Sequence, residues 1–108
     1  MVGKIEIIFT SHVINYLDNL VRVLYKKEYF GFIDTAEVYV IKIYDAVSDN
    51  ILFSPHKKTP KTLHYLGSNY IFYKSNPRTT WYIFFKKREN IFLITGILNS
   101  HCKEAKEL

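Results

Sequence analysis

A basic and aromatic block occupies the middle of this sequence. No aspartate or glutamate occurs between Ile51 and Arg88, whereas eight cationic side chains do. The cations are Lys57, Lys58, Lys61, Lys74, Arg78, Lys86, Lys87 and Arg88. The block also contains the rings of Tyr70, Phe72, Tyr73, Trp81, Tyr82, Phe84 and Phe85. Cations that contact phosphates, beside rings on which bases stack, are typical of nucleic-acid binding, while an acidic protein partner or simple solubility would favour the same charge.

Other kinds of chemistry lack the residues that they need. The histidines at positions 12, 56, 64 and 101 do not have the spacing of metal ligands, and the four glycines do not form a phosphate-binding loop. Cys102 is the only cysteine, so neither an internal disulfide nor a cysteine-rich metal site can form. No serine or cysteine triad can be assembled from the motifs. We therefore expect no metal and no cofactor.

Length and composition predict one domain that covers residues 1–108. The chain is 48% hydrophobic and 17% aromatic, which is far from the composition of a disordered protein. Its longest uncharged apolar-rich stretch, Asn90–Ser100, is too short to span a bilayer. Met1–Thr10 lacks the apolar core of a signal peptide. We expect a cytoplasmic protein without a membrane segment.

The first half of the chain is predicted to form a strand and then a helix. Lys4–Phe9 is a short β-prone run, and the hydroxyl groups of Thr10 and Ser11 can cap a helix N-terminus. Apolar residues then recur every three or four positions as far as about Lys27. They are Val13, Ile14, Leu17, Leu20, Val21 and Leu24.

A second helix is predicted to follow a helix-ending position at Gly31. Asp34 and Glu37 have the spacing of a capping box. One face of this helix is predicted to carry Val40, Ile41, Tyr44 and Val47. Because Val38–Ile43 is rich in β-branched residues, a strand is the alternative for this segment. Two helices joined by a short turn would form an antiparallel hairpin.

The second half is predicted to form a long connection and three strands. Asp49–Asn69 is punctuated by prolines and Gly67, and connections of this length are usually functional or mobile. The strands are Tyr70–Lys74, Thr79–Lys86 and Ile91–Asn99, and their short turns favour an antiparallel meander. The predicted class is α+β, ordered β-α-α-β-β-β. The helical hairpin covers one face of a mainly antiparallel sheet and leaves the other for solvent or a ligand.

This order, together with the run YIFYKSNPRTTWYIFFKKRENIFLITGILNSH from Tyr70 to His101, resembles the RelE/ParE superfamily of toxins from bacterial type II toxin–antitoxin systems. The resemblance implies a RelE/ParE-like fold and a cognate antitoxin as partner. It also implies one of three functions. The first is a metal-independent, ribosome-dependent messenger RNA endoribonuclease that inhibits translation. The others are a non-catalytic DNA gyrase inhibitor, and an inactive member that only binds its antitoxin.

The resemblance also implies roles for individual residues. In the RNA-cleaving branch, side chains activate a ribose hydroxyl, stabilise the charged phosphorane and protonate the leaving oxygen. Arg78 would stabilise the phosphate together with Lys74 and Lys86, Tyr82 would stack on or orient a base, and His101 would carry the proton. Thr80 takes the place of the arginine that the family usually carries on this strand. The remaining cations would contact phosphates: Lys57, Lys58, Lys61, Lys87 and Arg88.

Strand alternation predicts which of these side chains share a face. It places Arg78, Thr80, Tyr82 and Lys86 on one face of the middle strand, provided that this strand begins by Arg78. Trp81 and Phe85 have the opposite parity and are assigned to the core. On the last strand Thr95, Asn99 and His101 are predicted to share a face.

Overall fold

The computed structural model describes residues 4–26 and 33–108 and has an α+β fold. Strand β1 spans Glu6–Phe9, helix α1 Ser11–Lys26 and helix α2 Ile33–Asn50. The strands that follow are β2 at Lys57–Lys58, β3 at Asn69–Asn76, β4 at Thr79–Arg88 and β5 at Ile91–Asn99. Two 3₁₀ helices, η1 at Lys61–Leu66 and η2 at Lys103–Glu107, complete the described elements. The predicted α+β class is confirmed.

The five strands form one mixed sheet in the order β1-β5-β4-β3-β2. Strands β3, β4 and β5 follow one another through short turns, so each runs antiparallel to its neighbour. β2 is also antiparallel to β3. β1 reaches the sheet through the two helices and pairs in parallel with β5. The prediction of a mainly antiparallel sheet is therefore confirmed.

The two long helices pack on one side of the sheet, which we call the helix face. Val13 and Leu17 of α1, with Val40, Ile43 and Val47 of α2, are buried there against alternate strand residues. The strand residues are Ile71, Trp81, Ile83, Phe85, Phe92, Ile94 and Ile97. Trp81 and Phe85 thus belong to the core, as their parity predicts. No helix in residues 4–26 or 33–108 is both long enough and apolar enough to cross a membrane.

The buried side of α2 agrees with the prediction at Val40, Tyr44 and Val47 but not at Ile41. Val38–Ile43 is helical, so the strand alternative for this segment is wrong. Ile41 is 51% exposed, whereas Ile43 is 1% exposed. The reason is that Ile43 and Val47 lie three and seven positions after Val40, on its side of the helix, while Ile41 is rotated away by about 100°. The side chain of Asp34 and the whole of Gly31 lie outside the described parts of the chain, so both capping expectations stay predictions.

The segment Asp49–Asn69, predicted to be a connection, contains secondary structure over about half of its length. α2 extends to Asn50, β2 adds an edge strand, and η1 packs on the second side of the sheet, which we call the opposite face. On this face Leu63 and Leu66 are buried against Tyr70 and Phe84. A Cβ placed on Gly96 of β5 would lie 2.9 Å from the Leu66 carbonyl oxygen. Glycine at this position therefore allows η1 to lie directly on the sheet.

Candidate nucleic-acid interface

The part of the opposite face that η1 leaves uncovered forms a cleft of about 320 Å³, which we call the sheet cleft. Its floor consists of residues on two neighbouring strands, and Lys57 and Leu108 complete its lining. The strand residues are Tyr70, Phe72 and Lys74 of β3, with Thr80 and Tyr82 of β4. No aspartate or glutamate belongs to this described lining, so its charged side chains are those of two lysines.

Strand register explains why these residues meet. Alternate residues of a strand point to the same face, which places Tyr70, Phe72 and Lys74 in one row. Phe72 lies opposite Tyr82 across the β3–β4 pair, and Lys74 lies opposite Thr80. Lys57 lies opposite Tyr70 across the β2–β3 pair. The result is an aromatic centre with a lysine toward each end.

Lys57 and Phe72 are in contact across the strands. The Nζ atom of Lys57 lies 5.8 Å from the centroid of the Phe72 ring, within the range of a cation–π interaction. Phe72 is 45% exposed, which is unusual for so large an apolar ring on a β-sheet. The cleft therefore presents an accessible ring and a flexible cation in direct contact.

Tyr70 supports this surface from below. It is buried, and the centroid of its ring lies 6.0 Å from that of Tyr82 in an edge-to-face arrangement. Burial, with a smaller contribution from Tyr82, raises the pKa of the Tyr70 phenol above its ordinary value of 10.0. Tyr70 thus remains neutral at physiological pH and packs against the Tyr82 ring.

Arg78 and His101 do not belong to the described lining of the sheet cleft. Arg78 lies in the turn before β4, so it does not belong to the strand face on which it was predicted. His101 follows β5, and its Nε2 atom lies 3.0 Å from the Thr79 hydroxyl oxygen. Its backbone N–H donates to the Asn99 side-chain oxygen at 2.8 Å. Of the three predicted catalytic residues, only Tyr82 belongs to the described lining of the sheet cleft.

A β-bulge in β5 overturns the common face predicted for its polar residues. Phe84 pairs with Gly96 but Phe85 pairs with Ile94, so Thr95 is an extra residue in the ladder. The Thr95 hydroxyl donates to the Leu66 carbonyl oxygen on the opposite face. Asn99, in contrast, lies opposite Trp81 and hydrogen-bonds to Tyr16 of α1 on the helix face. The bulge therefore separates Thr95 from Asn99.

The other predicted phosphate ligands are spread over the surface. Lys58 alternates with Lys57 and points away from the cleft, and Lys61 is exposed on η1. The Nζ atom of Lys87 lies 5.3 Å from the centroid of the Phe92 ring, on the helix face. Lys86 and Arg88 are exposed at the far end of β4. Among the cations of the described chain, Lys57 and Lys74 are the ones that line the cleft.

Phe72 was not among the site residues predicted from the sequence. The signal was present, because Phe72 has the same parity as Lys74 in the run YIFYK. The sequence does not show that these alternate residues of the strand lie on the face opposite the helices. Only the tertiary structure shows this. As for metals, the described residues contain no group of three or more histidine, cysteine, aspartate or glutamate side chains that could hold an ion.

Three tyrosines, one buried and two half-buried, predict a loss of stability at alkaline pH. Burial raises the pKa values of Tyr16, Tyr44 and Tyr70 above 10.0. The folded state favours the neutral phenol. Each phenol therefore contributes its full stabilisation below its pKa in the unfolded chain, and this stabilisation is lost as the pH rises through its pKa in the folded protein. The free energy of unfolding, measured with urea, should begin to fall as the pH approaches the unfolded value of about 10 and should continue to fall above it. The free energy of unfolding of the Tyr70→Phe variant should fall less steeply with pH than that of the wild type. Identical slopes for the two proteins would contradict the assignment to Tyr70.

Comparison of the chain with protein-family models, with curated proteins and with solved structures gave no match. A function is therefore inferred from the sequence resemblance and from the geometry of the sheet cleft.

Proposed function

We propose that this protein is a RelE/ParE-like toxin of a type II toxin–antitoxin system that acts in the cytoplasm and binds messenger RNA through the sheet cleft. The observation that carries the proposal is the composition of the cleft. Two lysines and three aromatic rings meet on a sheet surface that has no aspartate or glutamate side chain in its described lining. Phosphates would pair with Lys57 and Lys74, and bases would contact the rings.

The cleft suits a single strand better than a duplex. In a duplex the base faces are already stacked on one another, so the rings of Phe72 and Tyr82 would have nothing to contact. In a single strand an unstacked base can lie on a ring while the backbone follows the cations. Messenger RNA held open for decoding on the ribosome has this form, which agrees with the activity that the resemblance implies.

If the bound RNA is cleaved, the predicted residues would contact it one after another along its backbone. Lys74, which lies opposite Thr80, would meet the negative charge that develops on the phosphorane, Lys57 would bind a neighbouring phosphate, and Tyr82 would orient a base. Thr79, the hydrogen-bond partner of His101, directly precedes Thr80 in the cleft. A phosphate bound by Lys74 at this end of the cleft would therefore be the one nearest to His101, which would carry the proton at the same phosphorane.

A second candidate is a member that binds without catalysis, either to DNA gyrase or to its antitoxin alone. The observation that favours it is the position of Arg78 and His101 outside the described lining of the cleft. A surface that binds a partner needs the lysines and rings but no proton carrier. In either case co-expression with a cognate antitoxin should restore growth and yield a stable complex.

Cleavage of ribosome-bound message by the purified protein tests the proposal. We expect the wild type to cut, and His101→Ala to cut on the order of a hundredfold more slowly with little change in association, because a proton carrier acts mainly in the transition state. His12→Ala, which removes an exposed histidine on α1, is the matched control and should cut like the wild type. A wild-type protein that cuts no message but blocks supercoiling by gyrase would establish the non-catalytic alternative instead.

A further inference from the structure

We propose that Phe72 is the ring on which one RNA base stacks, and that Lys57 and Lys74 bind the phosphates on either side of that nucleotide. This inference rests on the proposed function and specifies how the sheet cleft would hold its ligand. It names Phe72 as a binding residue, and it reassigns to Phe72 the stacking role predicted for Tyr82.

The difference in exposure between the two rings decides which of them receives the base. Tyr82 is half-buried and packs against the cluster formed by Leu63, Leu66 and Phe84, with its ring edge to face with Tyr70. Phe72 is 45% exposed. A ring already packed by its neighbours gains little from a further contact, whereas an exposed ring gains from covering its apolar face. Phe72 is therefore the better stacking surface.

The spacing of the lysines fits one nucleotide. Lys74 lies two residues after Phe72 on β3, a separation of about 6.6 Å along the strand. Lys57 reaches Phe72 from β2, on the Tyr70 side of the row. A base over Phe72 would thus have one cation toward each neighbouring phosphate. Two contacts of this kind fix the register of the backbone without reading its sequence, so a preference for particular bases is not expected.

Lys57 lies over the ring that the base would occupy, so it has to move when RNA binds. A cation–π contact at an exposed site is weaker than the stacking of a base on an aromatic ring. Stacking therefore displaces the ammonium group, which gains a phosphate as its new partner. Lys57 covers the ring in the free protein and binds the backbone in the complex.

Fluorescence of the Phe72→Trp variant tests the stacking directly. The probe is a short single-stranded oligouridylate, and we expect it to quench the new tryptophan as the base stacks. The natural tryptophan, Trp81, is 3% exposed and supplies a constant background. Phe72→Ala and Phe72→Leu should each weaken binding by about tenfold or more, because leucine keeps the apolar contact but loses the ring. Phe53→Ala is the control, since Phe53 is 83% exposed and lies outside the cleft.

The possible outcomes separate the stacking inference from the proposed function. If the wild type binds the oligonucleotide but Phe72→Trp is not quenched and Phe72→Leu binds normally, stacking on Phe72 is wrong while RNA binding stands. If the wild type does not bind the oligonucleotide, the proposed function fails and the inference fails with it. A polyglutamate peptide that binds the cleft lysines in place of RNA, with no effect of Phe72→Leu, would identify an acidic protein as the partner.

Discussion

Replacing both Lys57 and Lys74 by glutamine should lower the affinity for single-stranded RNA by about tenfold or more at low salt. Each lysine is expected to neutralise one phosphate and to release a condensed counterion, a contribution that is largest when the ionic strength is low. The two residues line the same cleft, so a single bound strand would lose both contacts together. Fluorescence anisotropy with a labelled oligonucleotide, measured over a series of salt concentrations, gives both the affinity and its salt dependence.

The salt dependence makes this prediction quantitative. Losing two phosphate contacts should reduce the slope of log affinity against log salt by about 1.4, because each contact to a single strand contributes roughly 0.7. The matched control is the double variant Lys58→Gln, Lys61→Gln, which removes the same charge from neighbouring positions outside the cleft. Equal losses in the two double variants would mean that net charge, and not the sheet cleft, governs binding.

Phe84→Ala should destabilise the protein by about 3–5 kcal/mol, the range for removing a fully buried phenylalanine. Phe84 is 0% exposed and packs on the opposite face with Leu63, Leu66 and Tyr70. Its loss leaves a cavity beneath η1 and removes the contacts that hold this 3₁₀ helix to β4. Tyr70 also loses a ring at 5.4 Å, so the floor of the sheet cleft should loosen as well.

Urea denaturation measures this loss, and the chain offers a control of the same residue type. Phe53→Ala removes a side chain that is 83% exposed in the turn after α2, and it should change the free energy of unfolding by less than about 0.5 kcal/mol. If Phe84→Ala cost no more than Phe53→Ala, η1 would not be packed on the sheet. The two variants therefore test whether the buried cluster on the opposite face contributes to the stability of the protein.

Local pattern alone predicted most of the secondary structure. Two-residue and three- to four-residue apolar spacings reflect the geometry of a single strand or helix, which depends on near neighbours along the chain. Ile91–Asn99 was therefore predicted with the bounds that β5 has, and α1 to within about one residue. The separation of charge, with no acidic residue from Ile51 to Arg88, is likewise a property of the sequence alone.

Pairing over long distances decided which of the charged and aromatic residues form one surface. The two-residue strand β2 brings Lys57 beside β3 and turns Lys58 away, although the two are neighbours in sequence. The extra residue Thr95 reverses the alternation within β5. Strand register and bulges arise from contacts between segments far apart in the chain, so local periodicity does not contain them. The sequence determined that this protein is basic, aromatic and α+β, and only the tertiary structure decided that Lys57, Phe72, Lys74 and Tyr82 share a cleft while Arg78 and His101 lie beyond its described lining.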